Sequence, residues 1–278
     1  MMVTVSGVVA GRGRSPRSLV LALLGEYMLE SEPQSVRAGL FIEVLEGAGV
    51  QPPATRSTLD RLEQTGMLGR ERRGREVLFT LTSPGAAVLR EATQRVRFPE
   101  PLHADGNGWT LVTFSVPEGQ RTLRHRLRST LTWEGFAPLR DGLWIAPGAV
   151  DLRRAMAALE GDLPAGTVVA FRAEELDGFP MGDGVRGAWD IEAIRAAHQS
   201  FIETWEDVSA EAVPSALTSR TMLVADWLAL VRTDPGLPRE LLGEAWPALQ
   251  SLEIYRRLRS ATEKSSAAEF ARLVSASR

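Results

Sequence analysis

Apolar residues in SPRSLVLALLGEYML fall at Val20, Leu23, Leu24, Tyr27 and Met28, the i, i+3, i+4, i+7, i+8 spacing of one helix face. Ser15 followed by Pro16 predicts its start, because a hydroxyl caps free amides and proline gives up an N–H that has no partner there. SVRAGLFIEVLEGAG repeats the pattern through Phe41, Val44, Leu45 and Ala48, and GAGV stops it, since glycine accepts a left-handed cap. In QPPATRSTLDRLEQTGML, Pro52 and Pro53 fit only a first turn, Leu59 and Leu62 mark a buried side, and Gly66 ends the helix. At about 100° per residue, Ser57, Asp60, Arg61 and Gln64 point away from that side, with Arg56 at its margin. The period then drops to two: Val77, Phe79 and Leu81 alternate with Leu78 and Thr80, a strand with apolar residues on both faces. RRGR before it is the turn of a hairpin, with Gly74 supplying the positive φ. Ser83-Pro84 opens another helix. Three helices followed by a hairpin predict a winged helix-turn-helix over residues 1–98, in which the third helix enters the major groove and the hairpin lies along the backbone or minor groove.

LHADGNG reads as a linker, after which the pattern changes. WTLVTFSVP is a buried strand, and EGQRTLRHRLRSTLTWEGF a helix with Leu123, Leu127 and Leu131 in register. FAPLRDGLWIAP is a hairpin around Asp141-Gly142, VDLRRAMAALEGD a helix and GTVVAFR a strand. The order β-α-β-β-α-β predicts a ferredoxin-like domain over residues 99–178. The outer face of its first helix carries Arg121, Arg124, Arg126 and Arg128. Two readings stay open for that face: a second nucleic-acid contact or dimer surface, and a plain solvated surface.

FPMGDGVRG breaks the chain, and only helical patterns follow, so residues 179–278 are expected to form an all-helical domain. The expected architecture is therefore α+β and multidomain. In AWDIEAIRAAHQSFIETWEDV, Ile191, Ile194, His198, Phe201 and Trp205 share one stripe, which makes His198 a core histidine with a satisfied partner rather than a ligand. TDPGLP is a rigid turn. Trp189, Trp205, Trp227 and Trp246 are core aromatics or, where a pocket exists, contacts for a flat aromatic ligand.

Composition narrows the chemistry. The 278 residues are 44% hydrophobic and 24% charged, ordinary for a chain that buries its cores. No apolar run approaches the length of a transmembrane helix, and VTVSGVVAG is too short and lacks the basic leader of a signal peptide, so a cytoplasmic protein without a membrane partner is expected. The absence of cysteine removes disulfides, thiolate zinc sites and cysteine nucleophiles. The three histidines, His103, His125 and His198, are far apart, so neither a metal site nor a cofactor is expected. The net charge of −3 is unevenly spread: residues 1–97 carry 13 arginines against 10 acidic residues, the remainder 19 basic against 25 acidic. RERRGREV concentrates Arg70, Arg72, Arg73 and Arg75 at the hairpin tip beside the third helix. There they would neutralise phosphates and release counterions. A solvated tip with arginines kept for solubility is the competing account, and the polar face of the neighbouring helix argues against it.

The run SPRSLVLALLGEY, continued by GVQPPATRSTLDRLEQTGMLGRERRGREVLFTLTSPG, resembles the start of the PaaX family, repressors of phenylacetic acid degradation operons and their relatives. The likeness continues through WTLVTFSVPEGQRTLRHRLRSTLTWEGFAPLRDGLWIAP to AWDI and RTDPGLPRELLGEAWPA, nearly the whole chain. It implies a winged-helix domain, a ferredoxin-like domain and a helical domain in a dimeric transcriptional repressor acting on a palindromic double-stranded operator. It carries DNA reading to Arg56, Ser57, Arg61, Arg73 and Arg75, and it implies release by a small effector, an aryl-coenzyme A thioester. Trp189, Arg232 and Trp246 are candidate effector contacts, picked as aromatic and cationic groups of the C-terminal segment; arginine suits a thioester's phosphates.

The middle segment also resembles a CRISPR-associated adaptation nuclease whose first strand ends in a metal-binding aspartate before a similar Val/Ile-Pro. This chain has Ser115 in FSVPE, and a neutral hydroxyl is a poor magnesium anchor. A protein without catalytic residues is expected; a metal-dependent nuclease of the central domain is the alternative. An acyl-coenzyme A hydrolase would need a nucleophile and base, and the chain has no GxSxG. A helical adaptor with a vestigial winged helix is a third reading.

Overall fold

The computed structural model describes residues 14–30, 34–74, 76–97, 102, 108–117, 119–159, 161–164, 166–178, 181–210, 213–243 and 245–275, without the side chains of 91–97 and 158. The first elements are α1 (Pro16–Tyr27), β1 (Val36–Arg37), α2 (Ala38–Gly47), α3 (Pro52–Gln64), β2 (Leu68–Arg73), β3 (Glu76–Leu81) and α4 (Ser83–Arg97). Then come β4 (Trp109–Phe114), α5 (Arg121–Trp133), β5 (Ala137–Arg140), β6 (Leu143–Pro147), α6 (Leu152–Met156) with a 3-10 turn (Ala157–Leu159), and β7 (Val168–Ala173). Helices close the series: α7 (Gly182–Ala188), α8 (Ile191–Trp205), α9 (Ala216–Thr233), α10 (Arg239–Leu242) and α11 (Ala248–Ser275). The chain forms two compact units, one of Met1–Phe98, Gln199–Ala229 and Leu249–Arg278, the other of Pro99–His198 and Leu230–Ala248. The helices expected as a separate C-terminal domain are thus shared between the two.

In the first unit, Ser15 caps α1 by accepting from the Ser18 amide at 3.0 Å. Leu19, Val20, Leu23 and Leu24 of α1, Leu40, Phe41, Val44 and Leu45 of α2, and Leu59 and Leu62 of α3 are buried. Gly66 ends α3's turn at φ +74°, and Gly74 turns the β2–β3 hairpin at φ +62°. The sheet runs β1-β3-β2, all antiparallel. β1 escapes the periodicity argument because two residues carry no period; Val36, paired with Phe79, is nevertheless buried. α4 is capped by Thr82, whose hydroxyl accepts from the Gly85 amide at 3.0 Å and donates to the Gly66 carbonyl at 2.7 Å.

Charged groups tie these elements to the C-terminal helices of the same unit. Glu26 of α1 accepts from Arg220 at 2.8 and 2.9 Å and from Arg259 at 3.3 Å. Arg14 forks onto Asp226 at 2.8 and 2.6 Å, and Asp226 also accepts from the Trp205 indole at 2.9 Å. Thr218 donates to the Val44 carbonyl at 3.2 Å, where a Cβ on Gly47 would approach the Thr218 hydroxyl to 2.9 Å. Tyr27 stacks on Phe270, and Trp227 lies between Phe201 and Tyr255.

In the second unit the four strands order β5-β6-β4-β7, every pair antiparallel. Together with α5 and α6 this fits a ferredoxin-like fold. One face packs Val112, Trp144 and Ala146 against Leu123, Leu127 and Leu131 of α5 and Met156 of α6. The other face packs Trp109 and Ile145 against Val185, Leu237 and Leu242. Val185 belongs to α7, which forms where FPMGDGVRG was expected only to break the chain. A glycine-rich stretch is a weak helix former, but burial of Val185 against the sheet stabilises this short helix of seven residues. His198 is fully buried, with Nε2 2.8 Å from Asp234 Oδ2; Asp234 also accepts from the Gly236 amide at 2.8 Å.

Candidate nucleic-acid interface

α3 is amphipathic. Leu59 and Leu62 turn inward, while Arg56, Ser57, Arg61 and Gln64 are exposed. The guanidinium groups of Arg56 and Arg61 make no hydrogen bond or ion pair among the described residues.

β2 leaves the core after Leu68. Directly paired residues of an antiparallel ladder share a face, so Leu68, Arg70 and Arg72 lie on the side of Leu81, Phe79 and Val77. That side starts apolar and becomes cationic as the strand runs outward. Arg70 Nη1 donates to Asp60 Oδ1 of α3 at 3.1 Å, which brings the hairpin and the helix's polar side onto one surface. Arg72 donates to the Gly74 carbonyl at 3.3 Å. Glu71 and Arg73 project from the opposite face of the ladder, where Arg73 donates to both carboxylate oxygens of Glu71 at 2.9 and 3.2 Å. Those hydrogen bonds hold the Glu71 carboxyl below the usual carboxylate range and raise the Arg73 guanidinium above its own. Arg70, Arg72 and Arg73 are all exposed, and Arg75 lies outside the described residues.

The two acidic partners, Asp60 and Glu71, are what residue counting misses. Each offsets one arginine of the tip, leaving Arg56, Arg61 and Arg72 without a carboxylate among the described residues. Chemically, the surface offers guanidinium, hydroxyl and amide donors suited to base edges and phosphate oxygens. On α5, by contrast, Arg124 donates to the Val116 carbonyl at 2.6 Å and Arg126 pairs with Asp162, so half of that arginine face is bound to its own chain.

The three effector candidates do not converge. Trp189 stacks on Trp109 and lines an open pocket of about 930 Å³ formed by residues 186–192, 195 and 240–243. Trp246 packs on the same apolar cluster, with the Arg195 guanidinium 4.8 Å from its ring. Arg232 does not line that pocket; its guanidinium lies 5.7 Å from the Trp133 ring. Trp205 and Trp227 are buried in the first unit as core aromatics. Ser115 is exposed just beyond β4, its amide bonded to the Thr167 carbonyl at 3.0 Å. Among the described residues no group of three or more histidine and carboxylate side chains is placed to hold a metal, and no helix is long and apolar enough to cross a membrane.

Residues 15–85 match the family described as PaaX-like protein, residues 102–181 the PaaX protein central Cas2-like domain, and residues 189–272 the PaaX-like protein C-terminal domain. Over 260 residues the chain is 26% identical to the transcriptional repressor PaaX of Escherichia coli (strain K12), spanning 88% of this chain and 80% of that protein. The uncharacterized protein Rv0674 from Mycobacterium tuberculosis shares the fold, with a TM-score of 0.59 and 24% identity over 92% of this chain and 99% of that one.

Proposed function

The chain belongs to the PaaX family, and from that premise we propose that it is a transcriptional repressor that binds double-stranded DNA through α3 and the β2–β3 hairpin. The observation that carries this reading is the single exposed surface on which Arg56, Ser57, Arg61 and Gln64 of α3 meet the arginines of β2, joined at Arg70 and Asp60. In this reading α1–α4 and the hairpin act as a winged helix-turn-helix. α3 enters the major groove with its polar side toward base edges, and Arg70, Arg72, Arg73 and Arg75 contact phosphates. The relatedness to a named transcriptional repressor supports the repressor role; in this reading the protein acts as a homodimer on a two-fold symmetric operator of an aromatic-acid catabolic operon. It performs no catalysis; the hydroxyl of Ser115 in place of a carboxylate supports that assignment against a nuclease.

Release follows a population shift. An effector, an aryl-coenzyme A thioester in this reading, binds more tightly to the form whose two DNA-reading surfaces do not match the operator spacing. Equal affinity for both forms would release nothing. The test is operator affinity as a function of salt for the wild type and for the double variant Arg72→Ala/Arg73→Ala. Binding should weaken linearly in log–log terms as salt rises, and the slope should shrink by about 0.9 for each phosphate that the variant leaves unneutralised. Salt-independent binding, or a variant that binds like the wild type, would overturn the proposal.

A further inference from the structure

His125, Arg128, Ser129, Thr132 and Trp133 follow the i, i+3, i+4, i+7, i+8 spacing on α5, on the solvent side of the helix that buries Leu123, Leu127 and Leu131. With Arg232 they line an open cleft of about 470 Å³, within the roughly 300–1,000 Å³ of small-molecule sites. None of the lining side chains is acidic. Neither Arg128 nor Arg232 pairs with a carboxylate among the described residues, unlike Arg126 on the same helix. Two guanidinium groups lining one cleft without a counter-charge repel each other, and an anion relieves that repulsion while accepting charge-assisted hydrogen bonds.

The second observation is Trp133, which leaves 54% of its surface exposed although it ends a helix whose neighbouring leucines are buried. Its ring has the Arg232 guanidinium 5.7 Å from the centroid. An exposed indole beside two cations and two hydroxyls is a surface for a flat ring that carries negative charge.

We infer that this cleft binds a small organic anion bearing a flat ring. Arg128 and Arg232 hold its carboxylate or phosphate, Ser129 and Thr132 donate to the same oxygens, and the ring lies against Trp133. The inference rests on α5 and the end of α9 alone and stands apart from the DNA-binding reading.

Isothermal titration of the full chain with two probe pairs tests it: benzoate against acetate, and adenosine monophosphate against inorganic phosphate. The ring-bearing member of at least one pair should bind tenfold or more tightly than its ringless counterpart; which pair responds distinguishes a carboxylate ligand from a nucleotide. Arg128→Gln/Arg232→Gln and Trp133→Ala should each weaken that binding at least tenfold. The altered side chains are all exposed, so circular dichroism and melting temperature should stay at wild-type values. The inference fails if no probe binds saturably at millimolar concentration, if the ring confers no advantage in either pair, or if the folded variants bind like the wild type. It also fails if an oligothymidylate binds through these residues while adenosine monophosphate and benzoate do not, which would make the cleft a nucleic-acid surface.

Discussion

Arg70 of β2 and Asp60 of α3 meet at 3.1 Å with their side chains 47% and 49% exposed, so one ion pair joins the hairpin to the helix while remaining in water. Such a pair contributes less than about 1 kcal/mol to stability. Its larger consequence is electrostatic, because it places a carboxylate on the surface proposed to meet phosphates. Asp60→Asn should leave the unfolding midpoint nearly unchanged and raise duplex affinity several-fold at low salt, with the gain shrinking as ionic strength rises. Fluorescence anisotropy across a salt series measures it; weaker binding by the folded variant would contradict the assignment of this surface.

Glu26 lies at the centre of a cluster in which Arg220 is 6% and Glu26 12% exposed in their side chains. Glu26→Gln removes the counter-charge from two arginines at once. Breaking a buried pair from one side costs about 3–5 kcal/mol, and urea unfolding of the variant should show a loss of that order. A loss below about 1 kcal/mol would mean that water already screens the cluster.

Burial pushes the Tyr27 hydroxyl from its ordinary 10.0 up to about 12, with Ser266 and Arg220 acting in the opposite direction. The unfolded chain therefore loses this proton first. The contribution to stability is full below about pH 10 and is lost as pH rises toward 12. Tyr27→Phe should flatten that part of the stability-versus-pH curve. With only two tyrosines in the chain, ultraviolet titration of the variant also isolates the late-titrating phenol.

A Cβ on Gly85 would lie 2.3 Å from the Met67 carbonyl oxygen, a backbone atom that cannot rotate away. Gly85→Ala should destabilise the protein by about 1–3 kcal/mol through overpacking where α4 meets the chain entering the hairpin. Gly119, with open space around it, is the control: Gly119→Ala should change stability by no more than about 0.5 kcal/mol. Thermal unfolding of the pair measures the difference.

Much of this architecture was legible without coordinates, for a local reason. The spacing of Val20, Leu23 and Leu24, the tandem proline that opens α3, and the glycine of the RRGR turn each act within one or two turns of chain. The backbone forms the corresponding helices and hairpin at those positions. The polar side of α3 was legible in the same way, since a 3.6-residue period sets which residues stand opposite Leu59 and Leu62.

Other features depend on partners that hydrophobic periodicity does not identify. β1 exists because Phe79 offers it a ladder, and α7 because the central sheet buries Val185. Pairing of Arg70 with Asp60 and of Arg73 with Glu71 decides which arginines of a cationic run keep a free charge, and composition cannot register it.

By itself, then, the sequence determined where the helices and strands lie and which of their faces are polar, because hydrophobic periodicity records burial one element at a time. Only the tertiary structure decided what covers each apolar face. Thr218 bonds Val44 across 174 positions and Arg259 reaches Glu26 across 233, so the last helices complete the core of the first ones. Pairings of that range leave no period in the chain: any apolar face can cover any other, and geometry selects the pair.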